Sequence, residues 1–278
     1  MRQQSTPWLI RGRKTIYLIN IQWRLLILLL CVMTVASPAR AVEQLGVKVI
    51  ERLPHDANAF TQGLHWHQGV FYESTGLYGA SSLRKVNPLT GEVLASVELE
   101  RAYFGEGLAR VGQQLIQLTW RKGLALVYDL ESLALVHTFE YSGEGWGLCF
   151  DGDNLWMSDG SSRLYQRDPH DFTMIKQLNV TLNKETVPQL NELACVGEHI
   201  YANVWKEPRL VRINKATGQV DAEIDASHLV AESGRRHPES VLNGITYDEQ
   251  AQVFYLTGKR WPTVFKVQWQ APSKSRKP

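Results

Sequence analysis

One carboxyl group, three carboxamides and one indole stand at the same point of a repeated motif. A bland scaffold would fill such a position with small or apolar residues. The motif is a polar or aromatic residue, then usually Gly, then Leu or Ile. Its copies are Gln62-Gly63-Leu64, Glu106-Gly107-Leu108, Trp146-Gly147-Leu148, Asn191-Glu192-Leu193 and Asn243-Gly244-Ile245. Among the five leading residues only Glu106 carries a carboxyl group. Gln62, Asn191 and Asn243 can donate to and accept from a substrate's polar groups. A second tier lies 11 to 14 residues after each anchor: Thr75, Trp120, Asp159, Trp205 and Lys259. Aromatic walls with a few convergent polar groups are the usual make-up of a small-ligand site.

The elements that must position these residues follow from the spacing. The aliphatic anchors are 44, 40, 45 and 52 residues apart, the interval of four-stranded propeller repeats. After each anchor comes a short turn, as at Gln68-Gly69 or Asp151-Gly152-Asp153. A strand rich in aromatic and β-branched residues follows, such as Val70-Phe71-Tyr72 or Val253-Phe254-Tyr255-Leu256. A third strand often ends in turn chemistry, as in Asn87-Pro88-Leu89-Thr90-Gly91 and Asn214-Lys215-Ala216-Thr217-Gly218. Short strands with little helical periodicity predict an all-β fold, and five registered copies predict a five-bladed β-propeller over a β-sandwich. In such a ring the five leading residues would face one another around the axis. The longest interval holds Asp225–Pro238, read as a rim loop with one helical turn.

The beginning of the chain reads differently. Arg11, Arg13, Lys14 and Arg24 precede an apolar run from Leu25 to Ala36, and Ala39-Arg40-Ala41 is a small-x-small cleavage site. This is the layout of a secretory signal peptide over residues 1–41, leaving 42–278 as one catalytic domain. The apolar run is shorter than the roughly 20 residues of a spanning helix, so no permanent membrane span is expected and the mature chain is expected to be exported, periplasmic or extracellular. Residues 1–41 hold six basic side chains and no acidic ones, so the remainder carries 24 basic against 28 acidic residues. A formally acidic chain with no Lys/Arg stripe argues against nucleic-acid binding. Cys149 and Cys195 remain; an oxidising compartment permits their pairing without requiring it, and two buried free thiols fit equally.

Several chemistries lack their signatures. There is no GxSxG elbow, no HExxH and no P-loop. His65-Trp66-His67 alternates as a strand does, placing both imidazoles on one face without a third ligand. Asp151-Gly152-Asp153-Asn154 lacks the later Gly and Glu of a calcium loop and reads as a turn. A calcium-dependent lactonase would need several axial carboxylates, and the aligned ring offers one. No metal or other cofactor is expected.

The longer motifs carry a resemblance. Phe60-Thr61-Gln62-Gly63-Leu64, Glu73-Ser74-Thr75-Gly76-Leu77-Tyr78-Gly79, Phe104-Gly105-Glu106-Gly107-Leu108, Gly145-Trp146-Gly147-Leu148, Asn203-Val204-Trp205 and Leu256-Thr257-Gly258-Lys259-Arg260-Trp261-Pro262 resemble the plant and bacterial, papaya-type glutaminyl cyclotransferases. The likeness runs from about residue 47 to 268. It implies a five-bladed propeller and metal-independent conversion of N-terminal glutamine to pyroglutamate, with peptides or proteins bearing that residue as partners. It also implies Glu106 as the acid/base, with Gln62, Asn191 and Lys259 holding polar groups and Phe60, Phe104, Trp120, Trp146 and Trp205 forming walls. Asn243 joins the substrate-binding set through its repeat position. A monomer is expected. The competing reading is a propeller that binds a peptide or glycan without chemistry, which leaves Glu106 without a purpose.

Overall fold

The computed structural model describes residues 41–234 and 237–272. The expected leader therefore lies, apart from Ala41, outside the described residues. A long first strand, β1 (Glu43–Pro54), precedes the first motif copy. Four strands then pair in sequence as an antiparallel sheet: β2 (Thr61–His67), β3 (Val70–Thr75), β4 (Ser82–Val86) and β5 (Val93–Glu98). A second sheet repeats the plan with β6 (Gly105–Val111), β7 (Gln114–Thr119), β8 (Leu124–Asp129) and β9 (Leu135–Glu140), and a third with β10 (Leu148–Phe150), β11 (Leu155–Ser158), β12 (Arg163–Arg167) and β13 (Met174–Asn179). A small hairpin, β14 (Thr181–Leu182) with β15 (Glu185–Thr186), separates these from the rest.

The remaining strands depart from the expected plan. They are β16 (Leu190–Val196), β17 (His199–Val204), β18 (Arg209–Asn214), β19 (Val220–Asp225), β20 (Leu242–Asp248), β21 (Val253–Gly258) and β22 (Thr263–Gln270). Strand β1 pairs antiparallel with β22, from Gly46↔Gln270 to Pro54↔Thr263, and parallel with β19, from Glu43↔Ala222 to Gly46↔Asp225. One continuous eight-stranded sheet results, in the order β16-β17-β18-β19-β1-β22-β21-β20. It curls until its edge strands, β16 and β20, lie against each other. The expectation of a five-bladed propeller is thus corrected to one eight-stranded sheet with three four-stranded sheets and a hairpin. Motif spacing locates strands that follow a motif, and β1 precedes them all. Its double pairing merges segments that the spacing alone would keep apart.

The first two strands of each set, the one that carries the motif and the one that follows it, are the most buried, and burial falls off towards the outer strands. In β2 and β6 the leading four or five residues are all buried, whereas β5, β9 and β13 are exposed along most of their length. Strand β19 is half-buried instead, because β1 covers it. Strands β2, β6, β10, β16 and β20 lie side by side in a ring, each beside the next and β20 beside β2. Glycines set how closely they approach: a Cβ on Gly107 would fall 2.5 Å from the Leu148 nitrogen, and one on Gly147 would collide with the Asn191 carbonyl oxygen. Leucines and isoleucines on the flanks of the ring, such as Leu115, Ile116, Leu148 and Ile245, are fully buried. Each contributes about 1.5–3 kcal/mol of hydrophobic stabilisation. The stretch after β19 forms one short helix, α1 (Ser227–Glu232), as the rim loop with a helical turn anticipated.

Candidate active site

Regular pairing fails at the same place in four of the five inner strands. The register shifts between Thr61 and Gly63, Gly105 and Leu108, Leu190 and Leu193, and Leu242 and Ile245. Strand β10 starts only at Leu148, and Ser158 instead holds the preceding turn, its Oγ accepting from the Gly147 N–H at 2.8 Å. A bulge frees a residue from its ladder and re-aims its side chain. The freed residues are Gln62, Glu106, Asn191 and Asn243, with Trp146 at the matching point.

They do not all reach the same space. A cavity of about 240 Å³ is lined by Phe60, Gln62, Phe104, Glu106, Trp120, Trp146, Asn191, Trp205, Lys259 and Glu239. This is smaller than the roughly 300–1,000 Å³ of drug-sized sites and matches one residue of a substrate. Asn243 is fully buried behind it, its Nδ2 donating to the Gln62 Oε1 and to the Thr61 carbonyl, both at 3.0 Å. Asn243 thus supports Gln62 and is not part of the lining. In the second tier Trp120, Trp205 and Lys259 converge, and the other two do not. Thr75 pairs with the Ser82 hydroxyl at 2.7 Å, and Asp159 accepts from the Tyr165 hydroxyl at 2.8 Å outside this cavity. Trp156 is core, its Nε1 donating to Asp151 at 2.8 Å.

Glu106 is 4 % exposed, and among the described residues its one hydrogen bond comes from Gln62 Nε2 to Oε1 at 2.9 Å. Burial pushes its carboxyl well above the ordinary range; Lys259 opposes this and the Glu144 charge adds to it. Lys259 leaves β21 on a turn closed by fully buried Trp261, whose Nε1 donates to the Ser240 carbonyl at 3.2 Å. Its Nζ lies 4.8 Å from the Phe60 ring centroid, and burial pulls its pKa down against the pull of Glu106. The Asn191 Oδ1 is buried without a hydrogen-bond partner among the described residues, which leaves it available to accept from a substrate.

The aromatic walls brace one another. Phe60 meets Phe104 edge-on at 6.1 Å between centroids, Phe104 meets Trp120 at 5.5 Å, and Trp146 meets Trp205 at 5.5 Å. Such pairs add about 0.5–1.5 kcal/mol each beyond burial.

Three carboxylates escaped the repeat reading. Glu239 comes from the long interval before β20, where no other copy has a counterpart, and its Oε1 lies 3.6 Å from Lys206 Nζ. Glu144 lies two residues before Trp146, and its Oε2 accepts from the indole N–H of both Trp120 and Trp146. Glu192 replaces the glycine of the other four copies. It is fully buried, and its Oε1 accepts from the Leu64 N–H at 3.2 Å. Its sequence signal was that very break in the Gly pattern. Cys149 and Cys195, whose pairing the sequence left open, are disulfide-bonded, joining β10 to β16 with Cα atoms 5.6 Å apart. His65 and His67 stack at 6.5 Å, and among the described residues no three potential metal ligands group together.

A buried, weakly partnered carboxyl beside a lysine and carboxamides, inside an aromatic cavity of one-residue size, can bind a polar group and shuttle its proton. Known proteins are similar to this chain in sequence and in fold. The glutamine cyclotransferase family model matches residues 23–269. A glutaminyl-peptide cyclotransferase of Arabidopsis thaliana is 39 % identical over 235 residues, covering 82 % of this chain and 73 % of the relative. The crystal structure of the glutaminyl cyclase of Myxococcus xanthus matches with a TM-score of 0.79 and 37 % identity, covering 84 % of this chain and all of the other. With the family match spanning most of its length and both relatives well above the identity at which homology is secure, the chain belongs to the glutamine cyclotransferase family.

Proposed function

We propose that this protein converts the N-terminal glutamine of peptides to pyroglutamate with release of ammonia, and that Glu106 carries the proton. The observation that supports this role most directly is the Glu106 carboxyl itself, buried in the aromatic cavity with a carboxamide as its one hydrogen-bond partner among the described residues. In the reaction the substrate's α-amine attacks its own γ-carboxamide carbon, a new C–N bond closes a five-membered lactam, and the old C–N bond breaks. Amine and carbonyl are already tethered, so selecting the folded conformer supplies much of the acceleration. An α-amine with a pKa near ~7.7–8.0 is partly neutral at working pH. The amide nitrogen leaves only when protonated. Glu106 accepts a proton from the attacking amine and delivers it to the departing nitrogen, a relay typically worth ~10²–10⁴-fold.

The other groups have matching roles. The cavity walls exclude water and sandwich the closing ring. Lys259 and the carboxamides of Gln62 and Asn191 are positioned to hold the developing oxyanion or the substrate's amide. Peptides beginning with glutamine are the substrate class, and the small cavity admits that residue while the rest of the chain leaves through the mouth. The Cys149–Cys195 bridge supports an oxidising compartment, in keeping with export.

The experiment is ammonia release from a glutaminyl dipeptide by purified residues 42–278 in excess chelator, with Glu106→Gln alongside. Wild-type release that the substitution abolishes is expected. Equal release from both proteins would remove Glu106 from the mechanism. Dipeptide binding without release would favour a peptide-binding role.

A further inference from the structure

Glu144 has no part in the proton relay, yet it sits where two walls of the cavity meet. Trp120 follows β7 and Trp146 precedes β10, so their indoles reach the site from different sheets. A single oxygen, Glu144 Oε2, accepts from Trp120 Nε1 at 2.7 Å and from Trp146 Nε1 at 3.0 Å. Its other oxygen accepts from Arg121 Nε at 2.9 Å, and the Arg121 guanidinium lies 3.8 Å over the Trp120 ring. Each indole has one donor and no acceptor, so its plane follows wherever that N–H is held. The backbone around Glu144 is itself fixed. A side chain on Gly145 would collide with the Tyr141 hydroxyl, and that hydroxyl donates to the Thr119 carbonyl just before Trp120.

We propose that Glu144 is a positioning residue of the active site, orienting Trp120 and Trp146 as a pair and setting the electrostatic field in which Glu106 works. The inference rests on the cyclisation proposed above. Three donors hold Glu144 ionised, and its carboxyl lies below the ordinary range although burial alone would raise it. Its negative charge, together with the burial that dominates, favours the protonated form of Glu106. The other ionisable groups acting on Glu106 and Glu144 are Lys259, Glu192, Tyr141 and Arg121. Glu144 thus combines a geometric duty with an electrostatic one, and the two can be separated.

Glu144→Gln retains an acceptor oxygen for the indoles and removes the charge; Glu144→Ala removes both. In Glu144→Gln the acidic limb of kcat/KM for a glutaminyl dipeptide should move to lower pH, because Glu106 loses a neighbouring negative charge and deprotonates more readily. Glu144→Ala should show that shift and also lose about tenfold or more in kcat/KM, carried mainly by KM as the walls misalign. Circular dichroism on each variant reports whether it is folded. A wild-type pH profile and KM in both variants would overturn the inference. So would a loss of activity that only tracks loss of folded protein. If wild type itself releases no ammonia, the cyclisation reading fails first, which the Glu106→Gln comparison identifies separately.

Discussion

Glu73 on β3 and Glu106 on β6 are both almost completely buried glutamates, 1 % and 4 % exposed, yet their surroundings drive them in opposite directions. Glu73 on β3 accepts from Thr61 Oγ1 at 2.7 Å, pairs with His55 Nε2 at 2.9 Å and is also bound by Arg84. Burial alone would raise it, but His55 and Arg84 outweigh burial and hold it at about 2. Arg84 is in turn shared with Asp56 at 2.8 Å. Glu106 has one neutral donor among the described residues, and burial wins. The difference teaches that the number of charged donors, and not depth, separates a carboxyl that ties strands together from one that can exchange a proton.

The contrast can be broken by exchanging each carboxylate for its amide. Glu106→Gln should cost about 10²–10⁴-fold in turnover and leave thermal stability at neutral pH equal or higher. Its folded pKa is raised, so the native state loses stability as pH climbs through it, and a neutral isostere avoids that loss. Glu73→Gln should do the reverse. Breaking a buried ion pair from one side typically costs about 3–5 kcal/mol, read as a fall in Tm, while the protein that remains folded keeps its turnover. Wild type should also lose stability between about pH 4.5 and 2, because Glu73 is depressed in the folded state and its contribution vanishes as it protonates. In Glu73→Gln that acid-side slope should flatten, which urea unfolding at a series of pH values would measure.

Smaller changes sharpen the same comparison. Lys259→Met removes the cation that opposes burial at Glu106, so the acidic limb of kcat/KM should move to higher pH, opposite to the shift expected for Glu144→Gln. Asp56→Asn trims only the outer, partly solvated end of the Glu73 network and should cost no more than about 1 kcal/mol. A larger loss would mean that Asp56 orients Arg84 for Glu73.

The two glutamates also show what a sequence discloses. Glu106 was legible because it stands in register with four other leading residues, and the same alignment located Gln62, Asn191 and Trp146. Trp120, Trp205 and Lys259 were legible from a second register at the end of the following strand. Asn243 shares the first register and still misses the cavity, since the side chain of Gln62 lies in front of it. Glu239 and Glu144 lack the periodic signal altogether: one arises in an insertion, and the other matters through indoles drawn from two separate segments. The eight-stranded sheet escaped for a related reason. Parallel pairing of β1 with β19 joins residues far apart in sequence and leaves no local pattern at either end.

That pairing has a consequence for the order of synthesis. Strand β1 leaves the ribosome before any other described strand, and its antiparallel partner β22 leaves last. Until Thr263–Gln270 is made, β1 presents an open edge that no described strand can fill on that side. Exposed strand edges invite pairing with other chains, and contacts so distant in sequence form slowly. A chain cut short before β22 would therefore lose more than its final strand: it would leave an adhesive first one.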